Sequence, residues 1–391
     1  MRYLSANYVF SISSPPLKNG IVCVNDNGCI VDVIDTGGKL EERAKLEFYN
    51  GILVPGFVNA HCHLELSHLR GVMEPNIGLP KFVTSIGKLR QATDETILTA
   101  AKVADSEMWR NGIVAVGDIS NNACTFPVKR DSPMRYRTFV EVFGLDNSRA
   151  DEIFTAAKQV EQEYHRAGMP ATVVPHANYS VSQALWELLY QSYTSSPPQV
   201  ISIHHQESNE DLRLTIDDLR FHRSKIFNQK SKIVNRKSKI LLVHNTFSSR
   251  DDLSEYVAAP EKFFFALCPG SNLFLQNHLP DFHLFASPDL CTNTCLGTDS
   301  LASNTNLSIL EEMKIIQQHA PEISLEMLVQ WATLNGAKAL KFDHLLGSTE
   351  KGKTPGINLI SQIDFKNMRL TAGSTVKPLV QIQNLKKFNA L

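Results

Sequence analysis

Val54-Pro55-Gly56-Phe57-Val58-Asn59-Ala60-His61-Cys62-His63-Leu64-Glu65-Leu66 is the stretch on which the fold turns. An apolar run is broken by Pro55 and Gly56, restarts at Phe57 and Val58, and ends on two histidines one residue apart. Side chains at i and i+2 of a strand share a face, so His61 and His63 can address one ion while Cys62 points the other way, into a core. The pattern reads as a buried strand that delivers its polar residues at one end. Histidine pairs of this spacing also occur on ordinary strand surfaces, so the pair alone leaves a metal site and a surface pair both open.

Upstream, residues 1–55 read as short strands, Tyr8-Val9-Phe10-Ser11-Ile12, then Gly20 to Asn25 and Gly28 to Ile34, the last two joined by an Asn25-Asp26-Asn27-Gly28 hairpin turn. Downstream, apolar β-like runs alternate with helical stretches such as Glu95 to Arg110, Arg149 to Arg166 and Leu307 to Gln318. The runs are Ile113–Asp118, Tyr136–Val142, Ala171–His176, Val200–His204, Ile240–His244, Phe263–Cys268 and Thr294–Asp299. With the histidine strand they make eight, the number that closes a (β/α)8 barrel. A doubly wound open sheet is the alternative, but it brings the first and eighth strands together less readily. After about residue 345 short β-like pieces return, so the expected layout is a barrel over 56–344. One composite β-sandwich domain, built from 1–55 and 345–391, stands beside it.

The 391 residues suit a barrel-sized domain plus a minor one, and 43% hydrophobic with 20% charged residues is ordinary for a globular protein. A net charge of −1 supplies no field for nucleic acid or an acidic membrane. The N-terminus lacks the basic and apolar regions of a signal peptide and no apolar run is long enough to span a bilayer, so a cytoplasmic location is expected. Seven scattered cysteines argue against a disulfide framework, and without a Cys-x-x-Cys pair any metal ligands are expected to be nitrogen and oxygen. A basic stretch over 217–240, with Arg220, Arg223, Lys225, Lys230, Lys232, Arg236, Lys237 and Lys239, reads as a solvated surface helix or loop rather than a polyanion site, since aromatic interleaving is sparse.

Polar residues fall at the C-terminal ends of the runs, namely His61 and His63, Asp118, Glu141, His176, His204, His244 and Asp299. Active sites of (β/α)8 barrels sit on that rim. Any one of these histidines is more simply a satisfied structural group. Together, strands one, five, six and eight point them at one shared space and describe an open site of imidazoles and a carboxylate.

At this point the chain resembles the amidohydrolase superfamily, in its branch of deaminases and chlorohydrolases that includes cytosine deaminase. The matching stretches are Pro55 to His63, His204-His205-Gln206-Glu207, Val243-His244, Cys268 to Asn272, Gly297 to Asn304 and Thr333 to Leu340. The resemblance implies His61, His63, His204 and Asp299 as ligands of one divalent ion, zinc first and iron as the alternative. His204 takes the role because it lies three before Glu207, and His205 is expected to face away. The fourth strand ends in Val174-Pro175-His176-Ala177, without the lysine that bridges two ions in other members, so one ion is expected.

The resemblance further implies that the ion acidifies a water, with Asp299 taking its proton. Glu207 is implied as the general acid that protonates a ring nitrogen and the departing ammonia, and His244 as a hydrogen-bonding partner of the developing tetrahedral centre. His-Cys-His-Leu-Glu-Leu-Ser is similar to aminodeoxyfutalosine deaminase-like sequences, and Pro175 to Ser180 resembles a substrate-binding stretch, with Asn178 where many relatives have proline; Glu65, His176 and Ser271 are the candidate substrate-binding residues. Phe82 and Leu89, on the helical stretch after Pro80, are candidates to cover the ligand ring, with core packing the favoured reading. The expected function is therefore hydrolytic deamination of an adenine-type ring in a nucleoside-like small molecule. Rival readings are a guanine or other cyclic-amidine deaminase, a triazine-type chlorohydrolase, and a catalytically silent metal-containing scaffold. The resemblance also allows a homodimer.

Overall fold

The computed structural model describes residues 1–40, 42–209 and 238–381. The chain opens with β1 (Arg2–Val9), β2 (Leu17–Lys18), β3 (Ile21–Val24), β4 (Ile30–Ile34) and β5 (Leu46–Pro55). Eight parallel strands follow: β6 (Phe57–Cys62), β7 (Ile113–Ser120), β8 (Arg135–Val142), β9 (Ala171–Pro175), β10 (Val200–His205), β11 (Lys239–His244), β12 (Phe263–Leu267) and β13 (Thr294–Leu296). The chain closes its described course with β14 (Ile357–Asp364) and β15 (Arg369–Val380).

The eight parallel strands form two ladders, β6-β7-β8-β9 and β10-β11-β12-β13, joined at both seams. Ala177 bridges His204 at one seam, where the His204 amide donates to the His176 carbonyl at 2.9 Å. At the other, Cys62 bridges Asp299, and the amides of Thr298 and Asp299 both donate to the His61 carbonyl, at 3.0 and 3.1 Å. The ring is thereby closed into a (β/α)8 barrel, and its strands are buried almost throughout, as both-face burial requires. Helices α1 (Leu79–Leu89), α2 (Asp94–Arg110), α3 (Phe126–Asp131), α4 (Ala150–Arg166) and α5 (Gln183–Ser195) occupy crossovers of the first half. The helix Ile309–His319 follows β13. One apolar core runs from the strands into these helices, with Trp186 and Trp331 among its largest fully buried members.

Both chain ends build a single mixed sheet in the order β15-β14-β5-β1-β3-β4, with β2 paired to β1. The Asn25–Gly28 turn joins β3 to β4 as expected: Gly28 sits at φ 75°, its amide donates to the Asn25 carbonyl, and Asn25 Oδ1 accepts from Asn27 and Cys29. The first strand, expected at Tyr8–Ile12, instead begins at Arg2. It is the one strand that pairs β3 and β5 together, and Arg2 forks onto Glu47 of β5 through two bonds of 2.8 Å. Those partners lie 45 residues away and leave no local periodicity to read.

Leu89, expected in the core, is 43% exposed on α1, whereas Phe82 of the same helix is buried. The basic stretch from Arg220 to Lys237 lies outside the described residues. Lys239, its last member, is part of β11, with its ammonium 4.7 Å from the Phe264 ring centroid. Among the described residues no helix is long and apolar enough to cross a membrane.

Candidate metal centre

The i, i+2 spacing on β6 brings His61 and His63 together with their Nε2 atoms 3.1 Å apart. Asp299, at the end of the eighth strand, places Oδ1 3.5 Å from His61 Nε2 and 3.3 Å from His63 Nε2. His204 closes the group from β10, its ring centroid 4.9 Å from that of His61 and 5.5 Å from that of His63. One ligating atom from each of His61, His63 and His204 lies within 4.8 Å of the others, and the same holds for His61, His244 and Asp299. Strand one, five, six and eight thus meet on the rim.

The protonation pattern suits a cation. His204 Nδ1 lies 3.1 Å from the His176 carbonyl, which can only accept, so Nδ1 carries the proton and Nε2 of the neutral ring keeps a lone pair. Burial holds His63 and His204 well below the ordinary histidine value, and takes His244 down to about 4. Burial opposes ionisation of Asp299, yet the histidines around it, His61 foremost, hold its carboxyl well below the usual range. His61 Nδ1 is buried and has no hydrogen-bond partner among the described residues. Neutral imidazoles around one ionised carboxylate are the donor set of an open divalent-metal site.

Non-glycine residues in left-handed backbone cluster here: Gln206 (φ 48°), His244 (74°), Asn245 (55°) and Asp299 (58°). Each costs conformational energy that the surrounding bonds must offset, a common feature of functional rims. Asp299 is fixed by hydroxyls, Ser271 donating to Oδ2 at 2.7 Å and Ser303 at 2.6 Å, which leaves Oδ1 toward the histidines. His205 does face away, its Nδ1 3.0 Å from Asn245 Oδ1.

A cavity of about 290 Å³ adjoins the cluster. His63, His204, Glu207, Asp299 and His176 line it, with an apolar wall of Leu66, Leu79, Phe82, Val83, Ile86 and Phe143. Glu207 Oε1 stands 3.7 Å from His244 Nε2, beyond direct hydrogen bonding, with both side chains buried. His176 tilts against the His204 ring at 4.5 Å and pairs its Nδ1 with Ser180 Oγ at 2.9 Å.

Two expected pocket residues do not line the cavity. Ser271 is fully buried behind Asp299, where its hydroxyl is committed to the carboxylate. Glu65 lies behind the wall because its oxygens are taken, Oε1 by Arg90 Nη2 at 2.8 Å and Oε2 by the Asn121 amide at 3.0 Å. Burial pushes its carboxyl up to about 7, with Arg90 opposing. Arg90 and Asn121 line the cavity in its place, together with Glu141 from the end of β8. Burial likewise pushes Glu141 up to about 7 against its Asn121 hydrogen bond. Position at a strand end was the one sequence signal for Glu141. Arg90 and Asn121 had none.

The model of the Amidohydrolase family matches residues 52–387. The adenosine deaminase of Helicobacter pylori is 26% identical over 334 residues, 80% of this chain and 79% of that protein. Among solved structures, Helicobacter pylori aminofutalosine deaminase in complex with methylthio-coformycin superposes with a TM-score of 0.77 at 23% identity, covering 98% of this chain and 99% of that one. The atrazine chlorohydrolase of Arthrobacter aurescens TC1, complexed with zinc, shares the fold at a TM-score of 0.77 and 16% identity, covering 98% of this chain and 94% of that one.

Proposed function

The chain belongs to the amidohydrolase family, and on that premise we propose that it is a mononuclear metal-dependent aminohydrolase acting on an adenine-type ring of a nucleoside-like metabolite, with release of ammonia. The observation that carries this reading is the convergence of His61, His63, His204 and Asp299 beside a cavity that Glu207 also lines, with His244 immediately behind.

His61, His63, His204 and Asp299 are the residues that would hold the ion, and zinc, found in the chlorohydrolase of the same fold, suits three imidazoles and a carboxylate. A bound divalent cation supplies Lewis acidity, lowering the pKa of water to about 7. Hydrolysis adds the oxygen of water to the ring carbon and breaks its exocyclic C–N bond. Asp299 accepts the proton that the attacking water gives up; its Oδ2 is held by Ser271 and Ser303, so the carboxylate cannot swing away. Glu207 protonates the neighbouring ring nitrogen, takes up the hydroxyl proton of the tetrahedral centre as the carbonyl forms and passes it to the departing amine, and the proton on Asp299 then restores the acid; each transfer is typically worth 10²- to 10⁴-fold. The neutral His244 donates a hydrogen bond toward the oxygen of the tetrahedral centre.

An amine must be protonated to leave whereas chloride need not, so the presence of Glu207 in the cavity wall favours ammonia over chloride as the leaving group. Within the adenine class, aminodeoxyfutalosine is the finer candidate. It rests on the His-Cys-His-Leu-Glu-Leu-Ser stretch and on the likeness to the aminofutalosine deaminase.

The test is metal analysis of the purified chain, followed by ammonia release from adenosine, methylthioadenosine, guanine, cytosine and atrazine. One ion per chain and turnover of an adenine nucleoside are expected. Glu207→Gln should keep the ion and lose at least about 10²-fold in turnover. Full metal occupancy without ammonia from any substrate, or near-normal turnover by Glu207→Gln, refutes the reading.

A further inference from the structure

On its β8 side the cavity ends at a carboxyl group with one oxygen that makes no hydrogen bond among the described residues. Glu141 is 7% exposed, yet it lines the cavity. Its Oε2 accepts from Asn121 Nδ2 at 3.3 Å, and the same amide donates to the Glu141 carbonyl at 3.1 Å. Its Oε1 is buried without a hydrogen-bond partner among the described residues. The polar atom beside it is His204 Nδ1 at 3.4 Å, and the proton of that nitrogen is directed to the His176 carbonyl.

Such an oxygen is costly to bury and unusual unless something supplies a donor. Its orientation is built: Asn121 is gripped through its amide by Glu65 Oε2 and through Oδ1 by Arg90 Nη2 at 2.8 Å, and Arg90 itself is anchored on Glu65. Apolar side chains of Leu66, Phe82, Ile86 and Phe143 make up much of the wall that it shares with Arg90 and Asn121.

A cation is a poor partner for Oε1. Ligating atoms of Glu141, His176 and His204 do lie within 4.8 Å of one another. However, His204 Nδ1 already carries a proton, and His176 Nδ1 is paired with Ser180 Oγ. A neutral hydrogen-bond donor on the ligand fits better, and on an adenine nucleoside the donors beyond the reacting ring are the sugar hydroxyls.

Resting on the adenine-nucleoside reading above, we propose that Glu141 is the specificity-determining residue for the sugar, its Oε1 accepting a hydrogen bond from a ribose hydroxyl so that the site selects ribosides over their deoxy analogues. In its ionised form the carboxyl makes this bond charge-assisted, and a buried acceptor left empty by a deoxy sugar penalises the wrong ligand as well as favouring the right one.

The experiment compares adenosine, 2′-deoxyadenosine and 3′-deoxyadenosine on the zinc-loaded wild type, Glu141→Ala and Glu141→Gln. Turnover is read as kcat/KM. Affinity is read by calorimetry on the same variants carrying Glu207→Gln, so that binding is measured without reaction. The wild type should prefer adenosine to at least one deoxy analogue by about 10- to 100-fold. Glu141→Ala should bring all three within about threefold, by weakening adenosine in KM and in affinity while zinc content stays at the wild-type level. Glu141→Gln keeps the shape and one neutral acceptor, and should retain part of the preference even where the alanine variant folds poorly. Equal handling of the three by wild type, an undiminished preference in Glu141→Ala, an equal loss on all three, or no binding of any overturns the proposal. Preference in affinity without turnover of any nucleoside refutes the deaminase reading and leaves the sugar contact standing.

Discussion

Replacing Lys129 by methionine tests how the rim is supported from behind. Lys129 on α3 and Asp118 near the end of β7 form an ion pair whose side chains are both fully inaccessible. Asp118 Oδ1 also accepts the amide of Leu64 at 2.7 Å, directly after His63, and Lys129 donates to Ser120 Oγ at 2.7 Å. Burial works against the Lys129 ammonium and Asp118 overrides it, so the lysine is held above its ordinary value and stays charged. Methionine matches the stem but removes the charge, leaving a carboxylate in a dry site with its cation gone. Breaking a buried pair from one side costs about 3–5 kcal/mol, and at about 2 °C per kcal/mol in a chain of this size Tm should fall by roughly 6–10 °C. The double variant Asp118→Asn/Lys129→Met removes both charges and should recover to within about 1–2 kcal/mol of wild type. The sign with pH is also set. Without lysine, burial raises the Asp118 value further above its ordinary 3.8, so the deficit is small in acid and grows as pH rises through the elevated value. Calorimetric melting of zinc-loaded protein between pH 5 and 8 measures both effects. A single variant within about 1 kcal/mol of wild type, or a double variant as damaged as the single, would refute the reasoning.

Glu312, fully buried with Oε2 accepting from the Gly270 amide and Oε1 from Asn304, is pushed by burial from 4.5 up to about 8. A raised folded value means stability present below pH 4.5 is lost as pH climbs through 8, at most about 1.4 kcal/mol per unit, so Glu312→Gln should gain on wild type steadily across that window. A constant Tm difference between the two from pH 5 to 8.5 would contradict this. Gly117 lies where an added Cβ would meet the Ala60 carbonyl oxygen at 2.4 Å, a backbone atom of the neighbouring strand one residue before His61. Gly117→Ala should therefore cost about 1–3 kcal/mol and weaken zinc binding measured by chelator competition, and unchanged affinity would show that the strands part without moving the histidine.

The barrel was legible because its evidence is local and repeated. Each apolar run carries its own signal, seven of the eight with a polar residue at or beside the C-terminal end, as in Ile113–Asp118 or Ile240–His244, and the eight reinforce one another. The terminal sheet was less legible where pairing partners are distant: β1 starts with Arg2 and Tyr3, and its hold on β5 depends on Glu47. Wall residues failed for a different reason. Glu65 sits two residues beyond His63 and looked like a pocket group, but whether a carboxylate faces a ligand or an arginine depends on what α1 and the loop after β7 bring to it. Arg90 and Asn121, 25 and 56 positions away, decided that. Glu141 was visible as a strand-end acid and could not be ranked, since its distinction is an oxygen without a hydrogen bond among the described residues, a property of the assembled wall.

The seam of the barrel and the candidate ligand set are the same few residues, and this has a mechanical consequence. The amides of Thr298 and Asp299 converge on the His61 carbonyl, while Asn59 spans the seam with Nδ2 donating to Thr298 Oγ1 at 2.7 Å and Oδ1 accepting from the Thr298 amide at 3.1 Å. Cys62, between the two histidines, bridges Asp299 on the same line. His61 and Asp299 are therefore brought to 3.5 Å by backbone and amide bonds of the seam itself. Closing the barrel and bringing these two donors together are one event. The left-handed backbone at Asp299 is then intelligible as the bend that ends the eighth strand, spans the seam and turns a carboxylate toward two histidines in one residue.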